Sequence, residues 1–163
     1  MIKIHWIFFV LFLATACSNP KQTTDCKIPK PEAIFTKSMS GVEQHSFKAE
    51  GHVADESVVF DNGLRLELHQ AGCEKIYQEY IFYVPSALMK EKVHTRQAIE
   101  QITFLSNIDI KLQPFEQWVF AIRQNEEKFF ENSEVEVAPG IFVKIDSIKS
   151  QDTQILTIVF KGS

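Results

Sequence analysis

Apolar and polar positions alternate from residue 56 to residue 84, and a period of two predicts β-strands that bury one face. The tripeptide Asp61-Asn62-Gly63 separates two apolar runs. It predicts a hairpin, because Asn and Gly tolerate the positive φ that tight turns need. Ala71-Gly72-Cys73 marks a second loop further along the chain. This stretch therefore predicts a three-stranded antiparallel meander.

The register of the meander follows from the requirement for one apolar face. Phe60 is expected opposite Leu64, and Gln70 opposite Glu74, because a slip of one residue would mix apolar and polar side chains on both faces. The buried face then comprises Val58, Phe60, Leu64, Leu66, Leu68, Ile76, Tyr80, Phe82 and Val84. The opposite face carries Arg65, Glu67, His69, Lys75, Tyr77 and Glu79. A short edge strand is also expected over residues 43–49.

After Val84 the apolar residues recur at helical spacing. Ser86 is expected to cap an amphipathic helix that continues to about Leu105. Pro114 then opens a second helix, because proline is tolerated at the first helical position, and Asn132-Ser133 is expected to end it.

The C-terminal third returns to strands. Alternation over residues 135–146, on either side of Pro139-Gly140, has the period of a half-solvated strand pair. Residues 155–160 are nearly all apolar, as expected of a central strand. Strands, two helices and further strands predict an α+β domain. In it an antiparallel sheet, built from the N-terminal three-stranded meander and the C-terminal hairpin strands, carries both helices.

The N-terminus has the features of an export signal. Lys3 precedes an apolar run over residues 4–13, which is shorter than the roughly 20 residues that a membrane-spanning helix needs. Ala14-Thr15-Ala16-Cys17 follows, and it resembles the lipobox of bacterial lipoproteins, although the chain has Ala14 where the motif usually has Leu, Val or Ile. The resemblance covers residues 1–17 alone and implies cleavage before Cys17 and acylation of that residue.

The resemblance also implies a domain organisation and a location. Residues 1–16 would be a lipoprotein signal peptide, 17–31 a lipidated N-terminus with a tether rich in Pro, Lys and Thr, and 32–163 a single globular domain. The residues that follow the modified cysteine are Ser18 and Asn19, and neither is an Asp. This implies the periplasmic face of the outer membrane, with the protein held in the bilayer through acylated Cys17.

If Cys17 is lipidated, Cys26 and Cys73 remain. An even number of cysteines in an oxidising compartment favours one disulfide, which would attach the tether to the domain. The alternative is two free thiols or a redox pair, although the chain contains no CxxC motif.

Charge disfavours one class of partner. The chain has 17 basic and 21 acidic side chains and a net charge of −4, and cleavage of the signal would remove Lys3 and leave −5. Nucleic-acid binding depends on neutralising phosphates, so we expect no nucleic-acid partner. The 45% apolar content and 14 Phe residues indicate a well-packed globule.

No catalytic or metal-binding motif stands out. His45 and His52 lie near Asp55 and Glu56 in the sequence, but their spacing matches no zinc-site pattern, and solvated polar residues explain them better. His69 lies on the predicted polar face, where cross-strand charge pairing explains it better than acid–base catalysis. We therefore expect no catalytic residues, no metal and no cofactor.

Aromatic and aliphatic side chains at polar-phase positions suggest a protein-binding surface. Phe120 and Phe130 fall off the apolar stripe of the second helix, and Tyr77, Ile81, Tyr83 and Phe142 oppose the apolar faces of their strands. Helices packed over both sheet faces would instead bury them. The sequence thus favours a non-enzymatic, membrane-anchored lipoprotein of the cell envelope that binds a protein partner. The alternatives are an inhibitor or immunity protein against a toxin or lytic enzyme, and a small envelope hydrolase.

The anchor leads to a direct prediction. The mass of the mature protein should correspond to a chain that begins at Cys17 and carries acyl groups, because the lipobox directs both modifications. Mass spectrometry of the protein extracted from membranes measures this. An unmodified Cys17 thiol would contradict the prediction, and a Cys17→Ala variant, which should keep its signal peptide and gain no acyl groups, is the control.

Overall fold

The computed structural model describes residues 26–89, 93–108, 110, 113–130 and 133–162. Cys17 and the expected signal peptide lie outside the described residues. Seven strands and two α-helices follow one another along the chain. In order they are β1 (Val42–Glu50), β2 (Val53–Phe60), β3 (Arg65–Gly72), β4 (Ile76–Pro85), α1 (His94–Ser106), α2 (Phe115–Gln124), β5 (Glu134–Ala138), β6 (Ile141–Ser150) and β7 (Thr153–Gly162).

The strands form one antiparallel sheet in the order β1-β2-β3-β4-β7-β6-β5. Both α-helices bury their apolar side chains in the same core, against one face of this sheet. The predicted α+β class is therefore confirmed. We call the face that carries the helices the inner face and the opposite one the outer face.

The inner face of the sheet carries the apolar positions that the alternation predicted, together with Glu56, Gln70 and Gln78. The prediction was wrong for Ile76, the first residue of β4, which is 48% exposed. Phe82, Val84, Leu66 and Leu156 are fully buried, and α1 contributes Ile102 to the same core. Burial of side chains of this size contributes roughly 1.5–3 kcal/mol each. Packing of the two helices onto one sheet face is thus the main stabilising feature of the domain.

The first predicted hairpin is confirmed in register, and the geometry of its turn is more specific than expected. Phe60 N–H donates to the carbonyl of Leu64 at 2.8 Å. Of the three loop residues only Gly63 has a positive φ, at +84°. Asn62 contributes through its side chain instead, because its Oδ1 accepts a hydrogen bond from the N–H of Leu64 at 2.9 Å.

The predicted register of the second hairpin was wrong. Gln70 lies opposite Gln78, not Glu74, because β3 runs as far as Gly72, which pairs with Ile76. The slip is an even number of residues, so each side chain that remains in a strand keeps its predicted face. Lys75, predicted on the polar face, instead lies in the loop between β3 and β4. Alternation has a period of two and therefore cannot distinguish registers that differ by two or four residues.

The sheet is also more continuous than predicted. The edge strand expected at residues 43–49 is β1, so the meander has four strands rather than three. The apolar strand expected at residues 155–160 lies within β7, which is inserted between β4 and β6 and is central as predicted. The C-terminal strands thus extend the meander from β4.

Both helices differ from their predicted bounds. Ser86 begins only a single 3-10 turn, Ser86–Leu88, without a side-chain capping bond, and α1 starts at His94. The helix that follows Pro114 ends at Gln124, before the expected Asn132. It ends there because the side chain of Asn125 donates to the carbonyl of Ala121 at 2.9 Å and a 3-10 turn follows.

A disulfide joins Cys26 to Cys73, with the two Cα atoms 4.4 Å apart. The expected bridge is therefore present, and it attaches the residues before β1 to the end of β3. Ile28 N–H donates to the carbonyl of Cys73 at 3.1 Å beside it. We call residues 26–41 the N-terminal arm. Within the described residues, no helix is long and apolar enough to cross a bilayer.

Removal of the bridge should destabilise the domain. The double variant Cys26→Ser/Cys73→Ser should lower the free energy of unfolding by about 3–4 kcal/mol, because the bridge closes a long loop in the unfolded chain. Urea denaturation of the variant and the wild type under non-reducing conditions measures this. Equal transition midpoints would contradict the prediction, and wild type treated with a reductant should match the variant.

Candidate functional site

No described helix or strand covers the outer face of the sheet, since α1, α2 and the apolar part of the arm all pack on the inner face. The alternative in which helices cover both faces is therefore wrong for the described residues, and the predicted packing of the helices on the sheet is confirmed. Tyr77, Ile81 and Tyr83 of β4 and Phe142 of β6 all point to this face and are partly exposed. The sheet thus places all four predicted surface residues on one side.

The four residues do not form one continuous cluster. Tyr77 and Phe142 lie on either side of Lys161 in the intervening strand β7. Their backbones are therefore two strand spacings, or about 10 Å, apart. Ile81 and Tyr83 are neighbours on β4 and lie toward the opposite end of the strand.

The structure adds two residues that sequence reasoning missed. Ile155 of β7 lies opposite Tyr83, and Ile148 of β6 lies opposite Ile155. We call Tyr83, Ile155 and Ile148 the apolar row. Ile148 is 66% exposed. In the sequence, Ile148 is distinguished only by its even position, whereas the apolar residues Val143 and Ile145 of the same strand are at odd positions. The row can be recognised only when the order of the strands is known.

Carboxylates orient the two tyrosines of this face. Tyr83 Oη donates to Glu67 Oε2 at 2.9 Å, and the Arg65 guanidinium lies 4.8 Å from the centre of the Tyr83 ring. The hydrogen bond to Glu67 raises the pKa of Tyr83. Burial and the neighbouring Glu79, which accepts a hydrogen bond from its hydroxyl, raise the pKa of Tyr77. Both phenols therefore remain neutral at physiological pH.

Acidic side chains outnumber basic ones on the outer face. Lys144 pairs with Asp146 at 2.7 Å, and the other three basic residues of this face lie beside carboxylates. The acidic residues of the face are Glu50, Asp55, Glu67, Glu79, Glu134, Glu136 and Asp146, and the basic ones are Lys48, Arg65, Lys144 and Lys161. The face is therefore an acidic surface with apolar side chains among the charges.

A second notable group surrounds Glu56 on the inner face. Its carboxylate is fully buried and accepts hydrogen bonds from the backbone N–H groups of Ile34, at 3.0 Å, and Phe35, at 2.9 Å. His45 Nε2 donates to it at 2.7 Å. The interpretation of Glu56 as a solvated residue is therefore wrong, because its strand position faces the core. Nothing in a single sequence shows that the arm returns to supply its donors.

Tyr80 lies in the same part of the core. Burial raises its pKa well above the usual value, and the nearby Glu56 raises it further. Its ring stacks edge-on against those of Trp118, Phe115 and Phe160. The hydroxyl has no hydrogen-bond partner among the described residues. Tyr80 is thus a core residue that is kept un-ionised, without exposure to a substrate.

The remaining predicted positions are dispersed. His69 pairs with the exposed Asp55 on the outer face, and His52 lies in the turn between β1 and β2. Among the described residues, no group of three or more His, Cys, Asp and Glu side chains is close enough together to hold a metal ion. The His45–Glu56 pair is hydrogen-bonded, but Glu56 has no exposed surface through which it could reach a substrate.

Comparisons with known proteins give no relatives. No protein-family description, curated protein or solved structure matches the chain. A proposal for the function therefore has to rest on the geometry of the described residues.

The Glu56 group predicts a large local effect on stability. Glu56→Gln should lower the free energy of unfolding by about 2–4 kcal/mol, because an amide cannot accept hydrogen bonds from both backbone donors and leaves one of them unpaired. The matched control is Asp55→Asn, the same chemical change at the adjacent exposed position. It should change stability by less than about 0.5 kcal/mol. Urea denaturation measures both, and similar values for the two variants would contradict this role of Glu56.

Proposed function

We propose that the protein is a non-enzymatic, membrane-anchored lipoprotein of the cell envelope whose outer sheet face binds a protein partner. The observation that carries this proposal is the apolar row of Tyr83, Ile155 and Ile148 on an acidic face that no described element covers. Ile148 is exposed, and Tyr83 and Ile155 are partly exposed. Apolar and aromatic side chains within a charged surround are characteristic of protein interfaces.

The charge of the face specifies the partner. Carboxylates exceed basic groups on the outer face, so a complementary surface would be basic around an apolar centre. The overall net charge of −4 has the same sign. Charge complementarity of this kind increases the association rate and makes binding sensitive to salt.

The side chains of the apolar row are held in place by the sheet, which favours binding of a protein partner. The row lies on three adjacent hydrogen-bonded strands, and Tyr83 is held by both Glu67 and Arg65. A side chain that is already ordered loses little conformational entropy when a partner covers it. The surface is therefore suited to recognition.

One alternative has specific support. An inhibitor or immunity protein would use the same acidic face to cover a basic site on a toxin or lytic enzyme, and the surplus of carboxylates fits that partner. The hydrolase alternative would need exposed, convergent ionisable groups. The His45–Glu56 pair is buried at its carboxylate, whereas the His69–Asp55 pair on the outer face is exposed, and among the described residues no third His, Cys, Asp or Glu side chain joins either pair closely enough to hold a metal ion.

Site-specific crosslinking in the native envelope tests the proposal. A photoreactive amino acid at position 148, in the apolar row, should crosslink one basic protein. The same residue at position 120, on the opposite side of the domain, should not, although Phe120 is similarly exposed at 62%. Mass spectrometry then identifies the crosslinked protein.

Binding to the purified crosslinked protein provides the quantitative test. Ile148→Glu should weaken the affinity at least about tenfold, while Phe120→Glu leaves it unchanged, and added salt should weaken it further. Crosslinking to no protein at position 148, or equal crosslinking from both positions, would contradict the proposal. If the partner is an enzyme that the protein inhibits, the inhibitor alternative replaces the general binding role.

A further inference from the structure

A groove of about 280 Å³ separates the N-terminal arm from the adjoining ends of β3 and β4. Ile28, Pro29 and Ile34 of the arm form one wall, and Ile76 and Tyr77 of β4 form the other. We call this cavity the arm groove. It is distinct from the apolar row and meets the outer face at Ala71 and Tyr77.

Two glutamines provide the polar groups on the sheet side of the groove, and Lys30 and Glu32 of the arm also line it. Gln70 and Gln78 lie opposite each other on β3 and β4 and are 7% and 8% exposed. Gln78 Nε2 donates to Gln70 Oε1 at 3.3 Å, and Gln70 Nε2 donates to the carbonyl of Glu32 in the arm at 3.2 Å. These bonds fix both amides in place.

The pair has hydrogen-bonding capacity left over. Each glutamine amide has two N–H donors and a carbonyl acceptor. Among the described residues, the Oε1 of Gln78 accepts no hydrogen bond, and one N–H of each glutamine is unused. Neither glutamine is among the described residues whose buried side-chain atoms lack a partner, so the free acceptor and donors are accessible from the groove and can bind a ligand there.

The apolar walls, the amide groups and the volume of the groove indicate which kind of ligand it binds. Apolar side chains lie on both walls, and the amide groups lie between them. A secondary amide offers one N–H and one C=O, which match the free acceptor and donors of the glutamine pair. The volume is at the small end of the range for ligand sites, so only a short segment fits.

We propose that the arm groove binds a short extended peptide through a backbone amide, with apolar side chains of the peptide against Ile28 and Ile76. This site goes beyond the proposed function, because the groove would bind a peptide whether or not the outer face binds a protein. Gly72 contributes to the site by its lack of a side chain. A Cβ there would lie 2.6 Å from the carbonyl oxygen of Lys75 and 3.5 Å from the Ile28 side chain.

Titration of the full chain with a blocked peptide tests the site. The probe is acetyl-Leu-Ala-Leu-amide, added to the ¹⁵N-labelled protein purified from membranes in detergent. Its dissociation constant should be about 1 mM or lower, and the side-chain amide signals of Gln70 and Gln78 should shift. The same peptide methylated on its central amide nitrogen should bind at least about tenfold more weakly, because it loses the central N–H that donates to Gln78 Oε1 and the methyl group occupies its place.

Three variants complete the test. Gln78→Leu should weaken binding at least about tenfold, whereas Gln44→Leu, the same change at an exposed glutamine of β1, should leave it unchanged. Ile76→Trp should fill the groove from its exposed wall and also weaken binding of the peptide. This variant therefore tests the site if Gln78→Leu does not fold. Unshifted glutamine signals, or equal binding of the methylated peptide, would overturn the proposal. So would shifts caused by N-acetylglucosamine and not by the peptide.

Discussion

The one-sided burial of the sheet is the constraint on which the rest of this structure depends. Each of the seven strands alternates side chains between two faces, and the two helices cover only one of them. The inner face therefore takes the large apolar residues that stabilise the domain. The outer face keeps its charges and also a few apolar side chains, such as Ile148, whose exposure folding alone does not explain.

The N-terminal arm is the second important feature of the structure, and its position depends on the core. The disulfide from Cys26 to Cys73 holds one end of the arm, and the buried carboxylate of Glu56 holds the backbone at Ile34 and Phe35. Between these points the arm lies across the ends of β3 and β4 and forms the arm groove.

Much of the fold could be predicted from alternation, because hydrophobic period reports which face a residue occupies. It gave the α+β class, the Asp61–Gly63 hairpin and the central strand at residues 155–160. It could not give the register of β3 against β4, since a slip of four residues preserves every face. The candidate site was predictable only in part. The alternation of apolar and polar positions identified four of its residues, Tyr77, Ile81, Tyr83 and Phe142. It could not identify Ile155, Ile148 or the donors to Glu56, because these depend on contacts between residues distant in sequence.

The central claim is that the outer face is open in the isolated protein and covered in the envelope, and hydroxyl-radical footprinting followed by mass spectrometry measures it most directly. Tyr83 and Ile148 should be oxidised in the purified protein and protected in intact envelopes. Phe120, on the helical side, should be oxidised equally in both. Equal oxidation of Tyr83 and Ile148 in the two preparations would contradict the account, as would their protection in the purified protein.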